Sequence, residues 1–393
     1  MKICDLRTTI LSAPFKKATY WPYGKWEGMT VVLVEVLTDE GIIGLGESVC
    51  LSTPAEGYDA FIQGCKSLLI GESPFNTERL LKKLEGLGGW VFARHFAGYA
   101  LGGIEMALWD IVGKAANLPL YKLWGGKVRE GMDCMKYVPY GSPEEMADEA
   151  QLAVAAGYKT IYCKYSTLEH LRDAIAAIRE AVGEKPALWV DFNQTLSPGT
   201  AVTFLRTMEK YRIDIVEQPV LAGNLDALAY VRSRVHSKIL AHESSWTMQE
   251  ALNVVKRDAA DIISLEPRMS WGILGAKKVA GIAEAAGLPV AMHSTAEMGL
   301  AMTAFTHLAV TLPNMIGPNQ QMYDWYEKDY LTEPVAFKDG KLLPPEGPGL
   351  GVELDREVVA ELHQNYKRNG SYPLAGVDEE NMTRVGVPLW PSH

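Results

Sequence analysis

Apolar and polar positions divide the chain into two regimes. Up to about residue 60 they alternate with the period of an antiparallel sheet. TVVLVEVLTDEGIIGLGES (30–48) holds two apolar strands joined by a turn at Asp39-Glu40-Gly41. APFKKATYWPYGKWEG (13–28), rich in Gly, Pro and aromatics, reads as a long structured loop. Residues 55–125 carry helical periodicity and end in GGIEMALWDIVGKAANLPLYKLWGG. From about residue 133 short apolar strands alternate with amphipathic helices. The strand segments are CMKYVPY, TIYCKYS, ALWVDFNQ, DIVEQPV, ILAHESS, DIISLEP and PVAMHST, with helical stretches such as EHLRDAIAAIREAVG and GAKKVAGIAEAAG between them. That alternation implies right-handed βαβ units and a parallel sheet.

Polar residues close six of these strands: Lys164, Asp191, Glu217, Glu243, Glu266 and His293, at intervals of 27, 26, 26, 23 and 27 residues. A repeat of that length, with seven visible strands and a faint eighth near NMIGPN, suits a (β/α)₈ barrel better than an open sheet. In such a barrel the C-terminal strand ends form one site. Residues 330–393 include LLPPEGPGLGVEL, read as a return toward the first domain.

Convergent strand ends turn the acids into chemistry. Asp191, Glu217 and Glu243 fall on three successive strands and would repel one another strongly in a low-dielectric mouth. A hard divalent cation with oxygen ligands, Mg²⁺ in the first instance, relieves that repulsion. Lys164 and His293 then lie on either flank of the metal. Glu266 has three roles open to it: hydrogen-bond partner of the His293 imidazole, fourth metal ligand, or ion-pair partner of Arg268. A metal flanked by two bases suits removal of the proton next to a carboxylate, through an enediolate.

Composition narrows the partners. The 393-residue chain is 48% hydrophobic and 22% charged, as soluble globular proteins are, and its net charge of −10 argues against nucleic-acid binding. Five scattered cysteines without a C-x-x-C pair fit a reducing compartment. The amino-terminal segment lacks an apolar signal region, and no stretch approaches the roughly 18 apolar residues of a membrane span. The expectation is a cytoplasmic protein without membrane or nucleic-acid partners.

The ordered set VLVEVLTDEGIIGLGES, IEMALWDIVGKAANLPLYKLWGG, VDFN, VEQP and AHES resembles the mandelate racemase and muconate lactonizing enzymes of the enolase superfamily. The resemblance covers nearly the whole chain. It implies an α/β fold, a modified TIM barrel (β/α)₇β with an α+β capping domain made from both chain ends. The corresponding boundaries are 1–127 for the cap, 128–325 for the barrel and 326–393 for the returning segment. Carried over residue by residue, Asp191, Glu217 and Glu243 become the Mg²⁺ ligands, and Lys164 matches the second lysine of a K-x-K pair whose first position is Tyr162. His293 matches the catalytic histidine of the mandelate racemase group, with Glu266 in place of its Asp partner. Asn193 and Asn319 are candidate substrate contacts.

The resemblance favours dehydration of an acid sugar to a 2-keto-3-deoxy acid. Its alternative is a racemase or epimerase acting on a 2-hydroxy acid or an amino-acid or proline-betaine derivative. A non-catalytic, ligand-binding barrel is the second alternative. Specificity is expected from the capping segment. Lys16, Lys17 and Lys25 suit a second anionic end; Tyr20, Trp21, Tyr23 and Trp26 either contact the substrate or pack the cap on the barrel. The partner expected is a small carboxylate, and the assembly a homo-oligomer.

Overall fold

A computed structural model describes residues 1–21, 24–51, 54–86, 94–164 and 167–372. It opens with an antiparallel sheet of β1 (Ile3–Trp21), β2 (Gly24–Thr38) and β3 (Ile43–Val49), in the order β1-β2-β3. β1 and β2 pair all the way out to Trp21 and Gly24. Most of residues 13–28, expected as a loop, is therefore strand. The register slips between Pro14 and Thr19, so the imino residue, which has no N–H to give, sits where the ladder is already interrupted.

The helices α1 (Ala55–Leu69), α2 (Thr77–Glu85), α3 (Arg94–Ala116) and α4 (Leu120–Leu123) follow. α3 lies directly on β3. Side chains at Gly44 and Gly46 would collide with the backbone of Ala107 and Gly103, so only glycine permits that approach.

A short β4 (Met132–Asp133) leads into the barrel. Its parallel strands are β5 (Lys136–Tyr137), β6 (Thr160–Lys164), β7 (Ala187–Asp191), β8 (Ile215–Glu217), β9 (Lys238–Ala241), β10 (Ile262–Leu265) and β11 (Val290–Met292). They form one seven-stranded sheet in sequential order. The intervening helices are α5 (Pro143–Ala155), α6 (Leu168–Val182), α7 (Pro198–Thr207), α8 (Leu225–Arg232), α9 (Met248–Lys256) and α10 (Ile273–Ala285), with α11 (Gly299–Ala309) after β11. The strands are buried on both faces and read as near-continuous apolar runs.

The curled sheet is bridged where the faint eighth strand was expected. Met315 pairs in parallel with Val290, and Asn319 with Cys134. β12 (Phe337–Lys338) pairs with β13 (Lys341–Leu342), and β13 pairs with β4. α12 (Arg356–Asn369) then returns to β1, where His363 Nδ1 meets the Ile10 carbonyl at 2.8 Å and Asn365 Nδ2 donates to the Ser12 carbonyl at 2.8 Å.

Candidate active site

Register builds the site. Lys164, Asp191 and Glu217 are direct neighbours across three parallel strands, so their side chains share one face. Asp191 is fully buried; its Oδ2 accepts from Tyr162 Oη at 3.0 Å and from Lys164 Nζ at 2.6 Å, and its Oδ1 accepts from the Asn193 amide at 2.8 Å. Asn193 takes a positive φ of 42° just after the strand, which swings its carboxamide back into the mouth. There its Oδ1 accepts from Lys164 Nζ at 3.0 Å, while Nδ2 stands 3.5 Å from Glu243 Oε1. Glu217 Oε2 accepts from Trp189 Nε1 and Gln320 Nε2, both at 2.8 Å.

Beyond β9 the chain adds a group with no assigned role. Leu240 is in register with Glu217, β9 ends at Ala241, and His242 follows in a bend with its ring toward Glu217 and Glu243. His242 Nδ1 lies 3.1 Å from Glu217 Oε1 and 3.3 Å from Glu243 Oε2, but neither contact has hydrogen-bond geometry. Its ring tilts against that of His293 at 3.9 Å between centroids. His293 Nδ1 donates to Glu266 Oε2 at 2.7 Å, which fixes the tautomer and leaves Nε2 with the lone pair. Arg268 clamps the same carboxylate, Nε to Oε1 at 2.7 Å and Nη2 to Oε2 at 2.6 Å, and also pairs with Glu297. Two of the roles open to Glu266 thus coexist: it orients the imidazole and pairs with Arg268.

Electrostatics follows from this packing. Burial, then the Asp191 charge, pushes Glu217 above the usual carboxylate range. Burial works against a charged His242, but Glu243 and Glu217 outweigh it and raise the imidazole to about 10. In return, though burial opposes it, His242 pulls Glu243 down. Burial and the His242 charge push His293 down to about 3, against the pull of Glu266. Burial likewise resists ionisation of Glu266, yet Arg268 and His293 hold it well below the usual range.

The donor set fits a divalent cation. Glu217 Oε1, Glu243 Oε2 and both ring nitrogens of His242 are buried without a hydrogen-bond partner. Among the described residues, the ligand atoms of Glu217, His242 and His293 come within 4.8 Å of one another. Asp191 and Glu243 stand outside that group, and Lys164 and Tyr162 both donate to Asp191 Oδ2.

Comparison with known proteins gives this mouth its family. Residues 9–125 match the mandelate racemase/muconate lactonizing enzyme N-terminal domain, and residues 145–358 the enolase C-terminal domain-like family. The chain belongs to the mandelate racemase/muconate lactonizing family of the enolase superfamily. A chloromuconate cycloisomerase of Cupriavidus pinatubonensis is 32% identical over 84% of this chain and 90% of its own length. An N-succinyl-L-Arg/Lys racemase of Bacillus cereus is 29% identical over 92% of this chain and 98% of its own. The crystal structure of a dipeptide epimerase from Enterococcus faecalis, complexed with Mg and the dipeptide L-Leu-L-Tyr, superposes with a TM-score of 0.83 at 30% identity, over 90% of this chain and all of that one. Dehydratases also occur among the relatives. The protein is thus an enzyme of a superfamily whose chemistry is metal-assisted removal of the proton next to a carboxylate.

Within this family frame, several residues expected at the substrate are spent on architecture. Asn319 is buried and bonds only to backbone among its described contacts: Oδ1 accepts from the Met292 amide at 2.7 Å, and Nδ2 donates to the carbonyls of Asp133 at 3.0 Å and Ile316 at 3.2 Å. It closes the barrel, and its neighbour Gln320 reaches the site instead. Trp26 is buried against Phe15 and Trp325, the first rungs of an aromatic ladder that runs through Tyr137 to Tyr162. It packs cap on barrel and exposes no face for a ligand to stack on. Lys16 is exposed and donates to the Asp324 carbonyl at 2.9 Å. Tyr23 and the side chains of Tyr20 and Trp21 lie outside the described residues. Among the described residues no helix is long and apolar enough to cross a membrane. Sequence reasoning passed over His242, although its place directly after the apolar run ILA and before Glu243 was a usable signal for it.

Proposed function

We propose that this enzyme moves a proton from one face of a carboxylate's α-carbon to the other, as a racemase or epimerase of a small carboxylic acid. The observation that carries this reading is the pair of proton carriers of different chemistry, Lys164 and His293, on strands to either side of the acidic cluster. Racemase and epimerase relatives support it; acid-sugar dehydration, the expectation from sequence, has fewer relatives on its side.

Glu217 and Glu243, with Asp191 beside them, would hold a divalent cation. Mg²⁺ is the first expectation, as in the epimerase neighbour. When bound it supplies positive charge for the substrate carboxylate and for the enediolate formed from it. The protein does the rest. His293, neutral and aligned by Glu266, takes or returns the proton at Nε2. Lys164 does so from the other side, its ammonium placed by Asn193 Oδ1 and by Asp191 Oδ2, which Tyr162 holds through its own hydroxyl. Trp189 and Gln320 hold Glu217 in position. After each turnover one carrier has gained a proton and the other has lost one, and exchange with solvent restores both.

The test is incubation with N-acyl amino acids, dipeptides and acid sugars in deuterated buffer with Mg²⁺ or Mn²⁺, followed by proton NMR, polarimetry and a 2-keto-acid assay. Loss of the α-proton signal with loss of optical rotation is expected. His293→Asn and Lys164→Ala should each lower stereoinversion by about 10²–10⁴-fold, with one-sided exchange surviving in at least one variant. Formation of a 2-keto acid would replace this reading with dehydration.

A further inference from the structure

Four buried ligand atoms at the mouth lack hydrogen-bond partners: Glu217 Oε1, Glu243 Oε2 and the two nitrogens of His242. They face one another at 3.1 and 3.3 Å across His242 Nδ1 without hydrogen-bond geometry, as donor atoms gathered around a shared partner do. All belong to the β8–β9 side of the site. On the β7 side, by contrast, both oxygens of Asp191 are engaged by Tyr162, Lys164 and the Asn193 amide.

We propose that His242 is itself a ligand of the cation, together with Glu217, and that the site therefore prefers Mn²⁺ or Co²⁺ to Mg²⁺. The inference rests on the reading above that this mouth holds a divalent cation, and it specifies which atoms hold it. Placement supports it: just past the end of β9 at Ala241, the His242 ring lies against that of His293, and its Nδ1 faces Glu217 and Glu243 together. Burial supports it too, since the His242 side chain is only 5% exposed and its nitrogen stands 3.1 Å from Glu217 Oε1. His293 lies near enough to join the cluster, but its Nδ1 is committed to Glu266, which suits a proton carrier held in one tautomer. An imidazole ligand changes the choice of metal. Mg²⁺ favours an all-oxygen shell, whereas nitrogen donors raise affinity along the series from Mn²⁺ to Co²⁺.

The test uses the full chain, freed of metal by a chelator and titrated calorimetrically with Mg²⁺, Mn²⁺ and Co²⁺. Co²⁺ should bind at least about 100-fold more tightly than Mg²⁺. The Mn²⁺-loaded protein should show nitrogen coupling in pulsed electron paramagnetic resonance. His242→Asp should abolish that coupling and reduce the preference for Co²⁺ over Mg²⁺ by about 10-fold or more. His242→Asn, as a second variant, should also lose the coupling. Tight cation binding without nitrogen coupling, or coupling that survives both His242 variants and vanishes in His293→Asn, would overturn the assignment and leave the cation reading standing. Failure to bind any of the three ions would overturn both.

Discussion

Arg268 shows how much one side chain can carry. Its guanidinium is 1% exposed, bonds both oxygens of Glu266, pairs with Glu297 and lies over the rings of Tyr99 and Phe305. Burial disfavours its charge, but the two carboxylates more than compensate. Removing the guanidinium leaves two buried carboxylates without their countercharge, so Arg268→Met should destabilise the protein by about 3–5 kcal/mol. Urea unfolding measures this; a loss below about 1 kcal/mol would show that the acids find other partners. At this scale Lys164, Asp191, Glu217, Glu266 and His293 are legible in the sequence, because each is a polar residue ending an apolar run. His242 is hidden by its neighbour. Two ligand-type residues stand side by side in AHES just past the strand end, and both bring their side chains to the mouth.

Elements depend on partners far along the chain. α10 starts at Ile273 behind Gly272, which has no side chain to cap it. The cap comes from α3, where Glu105 accepts from the Ile273 amide at 2.9 Å and the Leu274 amide at 3.1 Å, and from Trp109 Nε1 at 2.8 Å. Glu105→Ala should therefore cost about 1–3 kcal/mol and speed hydrogen exchange of the first amides of α10. If Ile273 and Leu274 exchange as before, that capping role is wrong. The strand–helix alternation of the barrel is legible because each element has its own period. A cap supplied from 168 residues away leaves no local mark. The same holds for the outer halves of β1 and β2: glycine, proline and aromatics suggest a loop, and cross-strand pairing overrides them.

Across the whole molecule, His307 of α11 ties distant segments together. Its ring stacks on Tyr121, its Nδ1 accepts from the Tyr121 amide at 3.4 Å, and its Nε2 donates to the Leu350 carbonyl at 3.1 Å. Burial pushes it down to about 4, so it is neutral in the fold and near its ordinary value once unfolded. The unfolded chain then binds the extra proton between about pH 6.5 and 4, and stability falls as pH drops through that window. On the order of 2 kcal/mol should be lost between pH 7 and pH 5. Urea unfolding of the wild type and His307→Gln at both values checks this; equal pH effects in the two proteins would exclude His307 as the source.

The sequence by itself determined the alternation of strands and helices, the polar strand ends that meet at one mouth, and the family, since these are written in near-neighbour periodicity and short motifs. Only the tertiary structure decided that His242 faces the mouth, that Glu266 divides itself between His293 and Arg268, and that Asn319 closes the barrel. Coordination and charge balance are settled within a few ångströms, among atoms that the chain brings together from positions tens to hundreds of residues apart. No local pattern encodes that distance.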